Sequence, residues 1–207
     1  MNARTEESAA VEPLGDSAVR WLRDPEGDPR ALLDALRAHS GVVDAIVTEL
    51  HACVTFDPLH PPDAPWVVEA NLPRAGAPRA PPREHVIRAR YDGPDLAEVA
   101  SRLAVTREHV IHAHSSRLYV ARMIGFLPGF AYLAATDPPL PLPRRAVPRT
   151  RVEPLSIGIA AGYTAVYPFA SPGGWNLIAR AVDFVPFDRE LGARIALGDH
   201  VRFEVLR

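Results

Sequence analysis

The first patterned stretch of the chain is a short apolar run, Ala18 to Leu22, which reads as a strand. Asp28-Pro29 then supplies a helix N-cap followed by proline at the first helical position. Leu32, Leu33 and Leu36 share one face of the helix expected over Arg30 to His39, and Gly41 suits its stop. Val42 to Leu50 and Ala52 to Asp57 are rich in β-branched residues and read as strands. Asp63 to Leu72 is expected to form a second short helix. Residues 73–83 are a proline-rich run that favours an extended spacer.

Beyond the spacer the pattern restarts. Val86 to Tyr91 reads as a strand, Asp95 to Leu103 as a helix, and a second helix runs from Thr106, its N-cap, to about His114. Leu118 to Ile124 is strand-like. After it come short apolar runs cut by proline and glycine, with strands expected at Ser156–Ile159, Ala165–Tyr167, Asn176–Ala179 and Val201–Val205. Many short strands with frequent turns imply a β-barrel or sandwich. The expected architecture is α+β. Residues 1–82 form a small α/β domain with a disordered start and the proline-rich linker, and residues 83–207 form a β-rich domain.

Composition sharpens this picture. All 23 basic residues are arginine, so no lysine can serve as Schiff base, phosphate-loop cation or general base. Residues 1–82 carry a net charge of -6 and residues 83–207 a net +4, which sum to the formal -2. That balance does not suit a nucleic-acid binder. The single cysteine, Cys53, excludes an internal disulfide and a multi-cysteine zinc site, and its apolar strand makes it an inert core thiol. Pro154 to Ala179 holds 26 residues without a charge. Tyr167-Pro168 and Ser171-Pro172-Gly173-Gly174 would break a membrane helix in its middle, so no membrane span is expected. Without a secretory signal the cytoplasm is the expected location.

Three segments carry candidate chemistry. Gly125 to Phe130 sets two glycines beside Phe126, Pro128 and Phe130, and reads either as the floor of a ligand cleft or as a buried turn. The run from Pro138 to Arg151 contains two Pro-Arg pairs ending in Arg144 and Arg149. Their forks suit a carboxylate or phosphate, or pair with local acids. Ser171-Pro172-Gly173-Gly174-Trp175, following Tyr167, offers backbone donors to an anion, or forms a tight turn around a buried tryptophan. His112 and His114 are two apart and share no helical face, so no metal site is expected. His114 is read as a general acid or base, or as a capping, solvent-facing histidine.

Gly125 to Leu133, the two Pro-Arg pairs and Thr164 to Ile178 resemble the family called allophanate hydrolase subunit 1, KipI or the 5-oxoprolinase B subunit. The likeness extends to Gly15–Ala18, Tyr91–Leu96, His114-Ser115 and Tyr119. It implies an N-terminal α/β domain and a cyclophilin-like β-barrel. It also implies a partner of the allophanate hydrolase subunit 2 type, the 5-oxoprolinase C subunit, and a further A subunit. The implied activity is ATP-dependent opening of 5-oxoproline to glutamate, with ATP bound in this chain or elsewhere in the complex. On this resemblance the catalytic candidates are His114, Arg144 and Arg149. The substrate or anion contacts are Phe126, Pro128, Phe130, Tyr167, Ser171, Gly173, Gly174 and Trp175. The alternative is a KipI-like kinase inhibitor or a non-catalytic scaffold. The family pattern has glycine where this chain has Leu155, Ala160, Ala161 and Ala165, and glutamine where it has Tyr163. Those replacements are expected to narrow the cleft.

Overall fold

The structure is a computed structural model that describes residues 11–24, 27–61, 81–135 and 140–206. The expected helix at 63–72 and most of the 73–83 spacer lie outside the described residues. The chain divides into two compact units, Met1–Pro81 and Pro82–Arg207. Among the described residues no helix is long and apolar enough to cross a membrane.

The first unit is an antiparallel sheet of β1 (Glu12–Pro13), β2 (Ala18–Leu22), β3 (Asp44–Val47) and β4 (His51–Thr55), in the order β1-β2-β4-β3. Helix α1 (Pro29–Arg37) packs on β3. Alternation sets one sheet face inside: Trp21 faces Ala52 across β2–β4, and Ala45 faces Val54 across β3–β4. Cys53 falls on the opposite, half-buried face, so it is not the core thiol expected from its apolar strand. Asp28 caps α1 through Arg30 N–H at 3.1 Å. The helix stops at Arg37 with Ala38 as its C-cap, short of Gly41, whose N–H instead donates to the His39 ring.

The second unit is built on a closed barrel. Its strands are β5 (Glu84–Arg90), β6 (Leu118–Ile124), β7 (Ala131–Ala134), β9 (Ser156–Ala160), β10 (Tyr163–Val166), β12 (Asn176–Val182) and β15 (His200–Val205). Their order is β10-β7-β6-β15-β5-β12-β9. β15 runs parallel to β5, while the other barrel ladders are antiparallel. Helices α2 (Leu96–Arg102) and α3 (Arg107–Ser115) pack on each other, α2 against β12 and α3 against β15. Thr106 caps α3 through His109 N–H at 3.1 Å. Two ribbons lie outside the barrel ladder: β8 (Arg149–Val152) with β11 (Ser171–Gly173), and β13 (Phe187–Asp188) with β14 (Gly192–Ala193). The barrel closes because β5, β12 and β15 supply alternating apolar residues to one interior, among them Ile87, Ile178 and Phe203. A second, aromatic core holds Phe130, Tyr167 and Trp175.

Two positions where the family pattern carries glycine keep glycine's backbone geometry. Leu155 has φ 65° and Ala161 has φ 49°. Leu155 is pinned on both sides: its N–H donates to Tyr167 O, and its carbonyl accepts from Ala181 N–H. Ala161 and Gly162 form the two-residue loop of the β9–β10 hairpin, where Ala160 pairs with Tyr163 and both loop residues have positive φ. A type I′ turn needs this geometry and favours Asn-Gly. Ala161 is exposed and packs nothing that would offset its left-handed backbone. Ala161→Asn is therefore expected to stabilise the second unit by about 0.5–1 kcal/mol, read as a higher melting temperature. An unchanged or lower melting point would contradict the turn assignment.

Candidate functional site

The Gly125–Phe130 loop folds tightly at the end of β6. Gly125 N–H donates to Phe130 O at 3.2 Å, and Phe130 N–H to Leu127 O at 2.9 Å. A Cβ on Gly129 would lie 2.6 Å from Pro186 O, so only glycine lets the loop pack this close. Phe130 is buried and stands edge-on to Tyr167 at 5.4 Å and to Trp175 at 5.6 Å. Phe126 is different. It has φ 75° and is 58% exposed. A bulky residue there costs on the order of 1–3 kcal/mol of backbone strain. Pro128 is exposed and takes no part in the aromatic cluster. Phe130, Tyr167 and Trp175 thus form a buried aromatic wall, with the Phe126 ring edge-on to Phe130 and Tyr167 at its exposed side.

Tyr167 links this wall to the β8–β11 ribbon. Residues 171–174, expected as a turn, instead place Ser171–Gly173 in β11, with Ser171 opposite Val152 and Gly173 opposite Arg149. A bulge between the two pairs lets Arg149 and Val152 each oppose a β11 residue. A Cβ on Gly173 would lie 2.6 Å from the Tyr167 hydroxyl and 2.9 Å from Val152 Cγ2. Gly173 therefore makes room for the tyrosine. Ser171 is 8% exposed, and its hydroxyl has no hydrogen-bond partner. Burial pushes the Tyr167 phenol up to about 12, against the pull of Trp175 N–H and the guanidinium groups of Arg144 and Arg149. The phenol therefore stays protonated at neutral pH.

The arginines are organised by Asp95. Gly93 lies hard against β12, where a Cβ would overlap Leu177 O, and its N–H donates to Ile178 O. This contact delivers Asp95, 3% exposed, to the start of α2. Leu177 N–H donates to Asp95 Oδ2 at 2.7 Å. Asp95 Oδ1 accepts from Arg149 Nη2 at 2.6 Å and from Arg145 Nη1 at 3.0 Å. Arg145 also reaches Glu98 at 3.2 Å. The preceding loop is clamped as well: Arg145 N–H donates to Gly174 O, and buried Asn176 donates to Pro143 O and Ile159 O. Arg149 is thus half committed. Its Nη2 is held by Asp95, while its Nη1 is buried without a partner. Arg144 is exposed and pairs with no carboxylate among the described residues.

Sequence reasoning assigns no role to Asp95, Arg145 or Asn176. Asp95 lies within the Tyr91–Leu96 block, and that block is its available signal. The expectation that the arginines pair with local acids holds for Arg151, which meets Glu153 at 2.8 Å, whereas Arg149 and Arg145 pair with Asp95, distant in sequence and adjacent in space. Two of the residues that replace family glycines, and the tyrosine that replaces the family glutamine, fill space. Ala160 and Ala165 are buried in the aromatic core, and Tyr163 packs edge-on to Tyr132 at 6.0 Å.

His114 is neither solvent-facing nor a helix-end cap. It is 0% exposed, because closure of the barrel brings Phe203 of β15 to 4.5 Å from its ring. Thr164 donates to Gly158 O at 3.1 Å, so its hydroxyl accepts from His114 Nε2–H at 2.8 Å. Nδ1 then accepts from the Tyr91 hydroxyl at 2.7 Å. Burial pushes this imidazole down to about 3, so it is neutral at physiological pH. A cavity of about 10 Å³ lies beside it, lined by His114, Tyr119, Leu140, Ile159, Gly162 and Tyr163, with room for about one water. His114 belongs to the main core, apart from the aromatic core that carries the arginine ribbon. Among the described residues no three His, Cys, Asp or Glu side chains converge as a metal site would require.

Comparison with known proteins places this arrangement. The family model for the carboxyltransferase domain, subdomain C and D, matches residues 12–194. The chain is 45% identical over 113 residues to the 5-oxoprolinase B subunit of Escherichia coli O157:H7, covering 54% of this chain and 51% of that protein. It is 44% identical over 115 residues to the 5-oxoprolinase B subunit of Haemophilus influenzae, covering 55% and 54%. The chain spans about half the length of these relatives. Among solved structures, TTHA0988 superposes with TM-score 0.79 and 33% identity over 92% of this chain and 40% of that one. PH0987 of Pyrococcus horikoshii superposes with TM-score 0.56 and 27% identity over 95% and 97%. The urea carboxylase of Kluyveromyces lactis, at TM-score 0.73 and 15% identity over 96% of this chain and 22% of that one, shares the fold. With the family match running from residue 12 to residue 194, through both units, the chain belongs to the carboxyltransferase domain (subdomain C and D) family.

Proposed function

We propose that this chain is the B subunit of an ATP-dependent 5-oxoprolinase. In this reading it works in the cytoplasm with the C and A subunits to hydrolyse the cyclic amide C–N bond of 5-oxoproline to glutamate. The observation that carries the reading is the split fork of Arg149. Asp95 holds Nη2, and Nη1 is left buried and unpartnered on a strand residue that lies opposite Gly173. An unsatisfied cationic N–H in a packed region is costly unless an anion completes it. A lactam carboxylate, or the oxyanion that develops as the amide carbon is attacked, supplies such a group. Preorganised donors aimed at developing charge are among the strongest contributions to rate.

Arg149 and Arg144 are the cations of this site, with the Ser171 hydroxyl as a further donor on the ribbon. Tyr167 orients the ribbon as a neutral phenol, and Phe130 and Trp175 back it. A triphosphate cradle does not fit here. There is no lysine, the Gly173 gap is filled by Tyr167, and half of Arg149 is already bound. ATP binding is accordingly assigned to another subunit. His114, neutral and buried, is assigned to holding β10 and β9 through Thr164 and Gly158, not to proton transfer with substrate.

The test is reconstitution with the A and C subunits, following release of ADP and glutamate from 5-oxoproline. Turnover supports the reading. Absence of turnover, where a control B subunit restores it, rejects the reading.

A further inference from the structure

Phe126 carries a backbone cost for a ring that the fold only partly buries. Its ring is mostly exposed, and its backbone sits at φ 75°, a region that bulky residues avoid. The strain cannot relax locally. The Gly125–Phe130 and Leu127–Phe130 hydrogen bonds close the loop, and Gly129 presses against Pro186. Held this way, the ring stands edge-on to Phe130 at 5.2 Å and to Tyr167 at 6.5 Å. Tyr167 in turn sits within the field of Arg144 and Arg149. The exposed ring therefore borders Tyr167 on one side, and on the other the Tyr167 hydroxyl packs on Gly173, the residue opposite Arg149. A glycine at position 126 would fit the loop without strain. What it would lose is the ring.

We infer that Phe126 is a specificity-determining contact that covers the apolar ring face of a small cyclic amide whose carboxylate is held by the free Nη1 of Arg149. The inference rests on the proposed function and adds the ligand's orientation: anionic end toward β8, carbon ring toward the Gly125–Phe130 loop. Strained residues persist where the surroundings over-determine them, and they cluster at ligand clamps. Flat apolar ligand surface packs well on an aromatic face.

The experiment compares wild type, Phe126→Gly and Phe126→Leu in the complex with the A and C subunits. Calorimetric titration of 5-oxoproline, steady-state kinetics and thermal melting are measured. Phe126→Gly is expected to melt no lower than wild type while binding 5-oxoproline about tenfold more weakly. KM rises, kcat changes little, and Phe126→Leu falls between. Unchanged affinity in an active complex overturns this inference and leaves the proposed function standing. A lower melting point for Phe126→Gly overturns it too, because the ring would then be structural. Failure to capture the C subunit with unchanged affinity for 5-oxoproline overturns it in favour of a protein–protein contact. A wild-type complex that neither binds nor turns over 5-oxoproline overturns both readings.

Discussion

Asp95→Ala is expected to destabilise the second unit by about 3–5 kcal/mol and to abolish activity with it. Asp95 is buried and serves three donors at once: Leu177 N–H, Arg145 and Arg149. Removing it strands the Arg149 guanidinium, about three-quarters buried, leaves Arg145 with Glu98 alone, and removes the acceptor of Leu177 N–H. Leaving an uncompensated charge in such a place is the expensive half of breaking a buried pair. Since small domains hold only about 5–15 kcal/mol in total, the melting temperature should fall by roughly 10–20 °C. Asp95→Asn keeps the shape and an acceptor for Leu177 but drops the charge. A loss for Asp95→Asn that approaches the alanine value would locate the energy in the ion pairs. An alanine variant melting within about 2 °C of wild type would show that Asp95 is not the hub described.

Acid should weaken the barrel through His114. Its folded-state value is depressed from 6.5 to about 3, so the native state excludes a proton that the unfolded chain binds between those values. Stability from this group is fully present above pH 6.5. It declines by roughly 1 kcal/mol per pH unit as the pH falls toward 3, on the order of 4 kcal/mol across the window. Protonation would also turn Nδ1 from acceptor to donor and break the hydrogen bond from Tyr91. Thermal melts between about pH 7 and 4 read the slope directly. His114→Gln, which keeps a donor and an acceptor but does not titrate, should flatten it. An equal slope in the two proteins would refute the assignment.

A few local features are legible in the sequence to the residue, while most strands are placed only to within several residues. β2 and β6 begin and end where their apolar runs do, and Asp28 and Thr106 cap their helices as their side chains dictate. The barrel is legible as a texture of short strands, but its closure is not. The seam joins β5 to β15 across more than a hundred residues, and no local pattern reports such a pairing. That distance explains why His114 reads wrongly from sequence. At a helix end it looks exposed, and only the closing strand buries it. Ser171–Gly173 reads as a turn because serine, proline and glycine favour one. Its strand character comes from its partner β8, the unremarkable Arg-Thr-Arg-Val at 149–152. The site follows the same division. Arg149, Tyr167, Ser171 and Trp175 stand out by type and spacing. Asp95, which decides what Arg149 can do, becomes visible only once β12 lies beside it.

The proposed chemistry turns on the free edge of Arg149, and turnover of Arg149→Ala in the complex with the A and C subunits tests it most directly. The variant should fold and assemble, because Asp95 retains Arg145 and Leu177 N–H. The prediction is intact complex with 5-oxoproline turnover reduced by about 10²–10³-fold. Wild-type turnover by an assembled Arg149→Ala complex would contradict it.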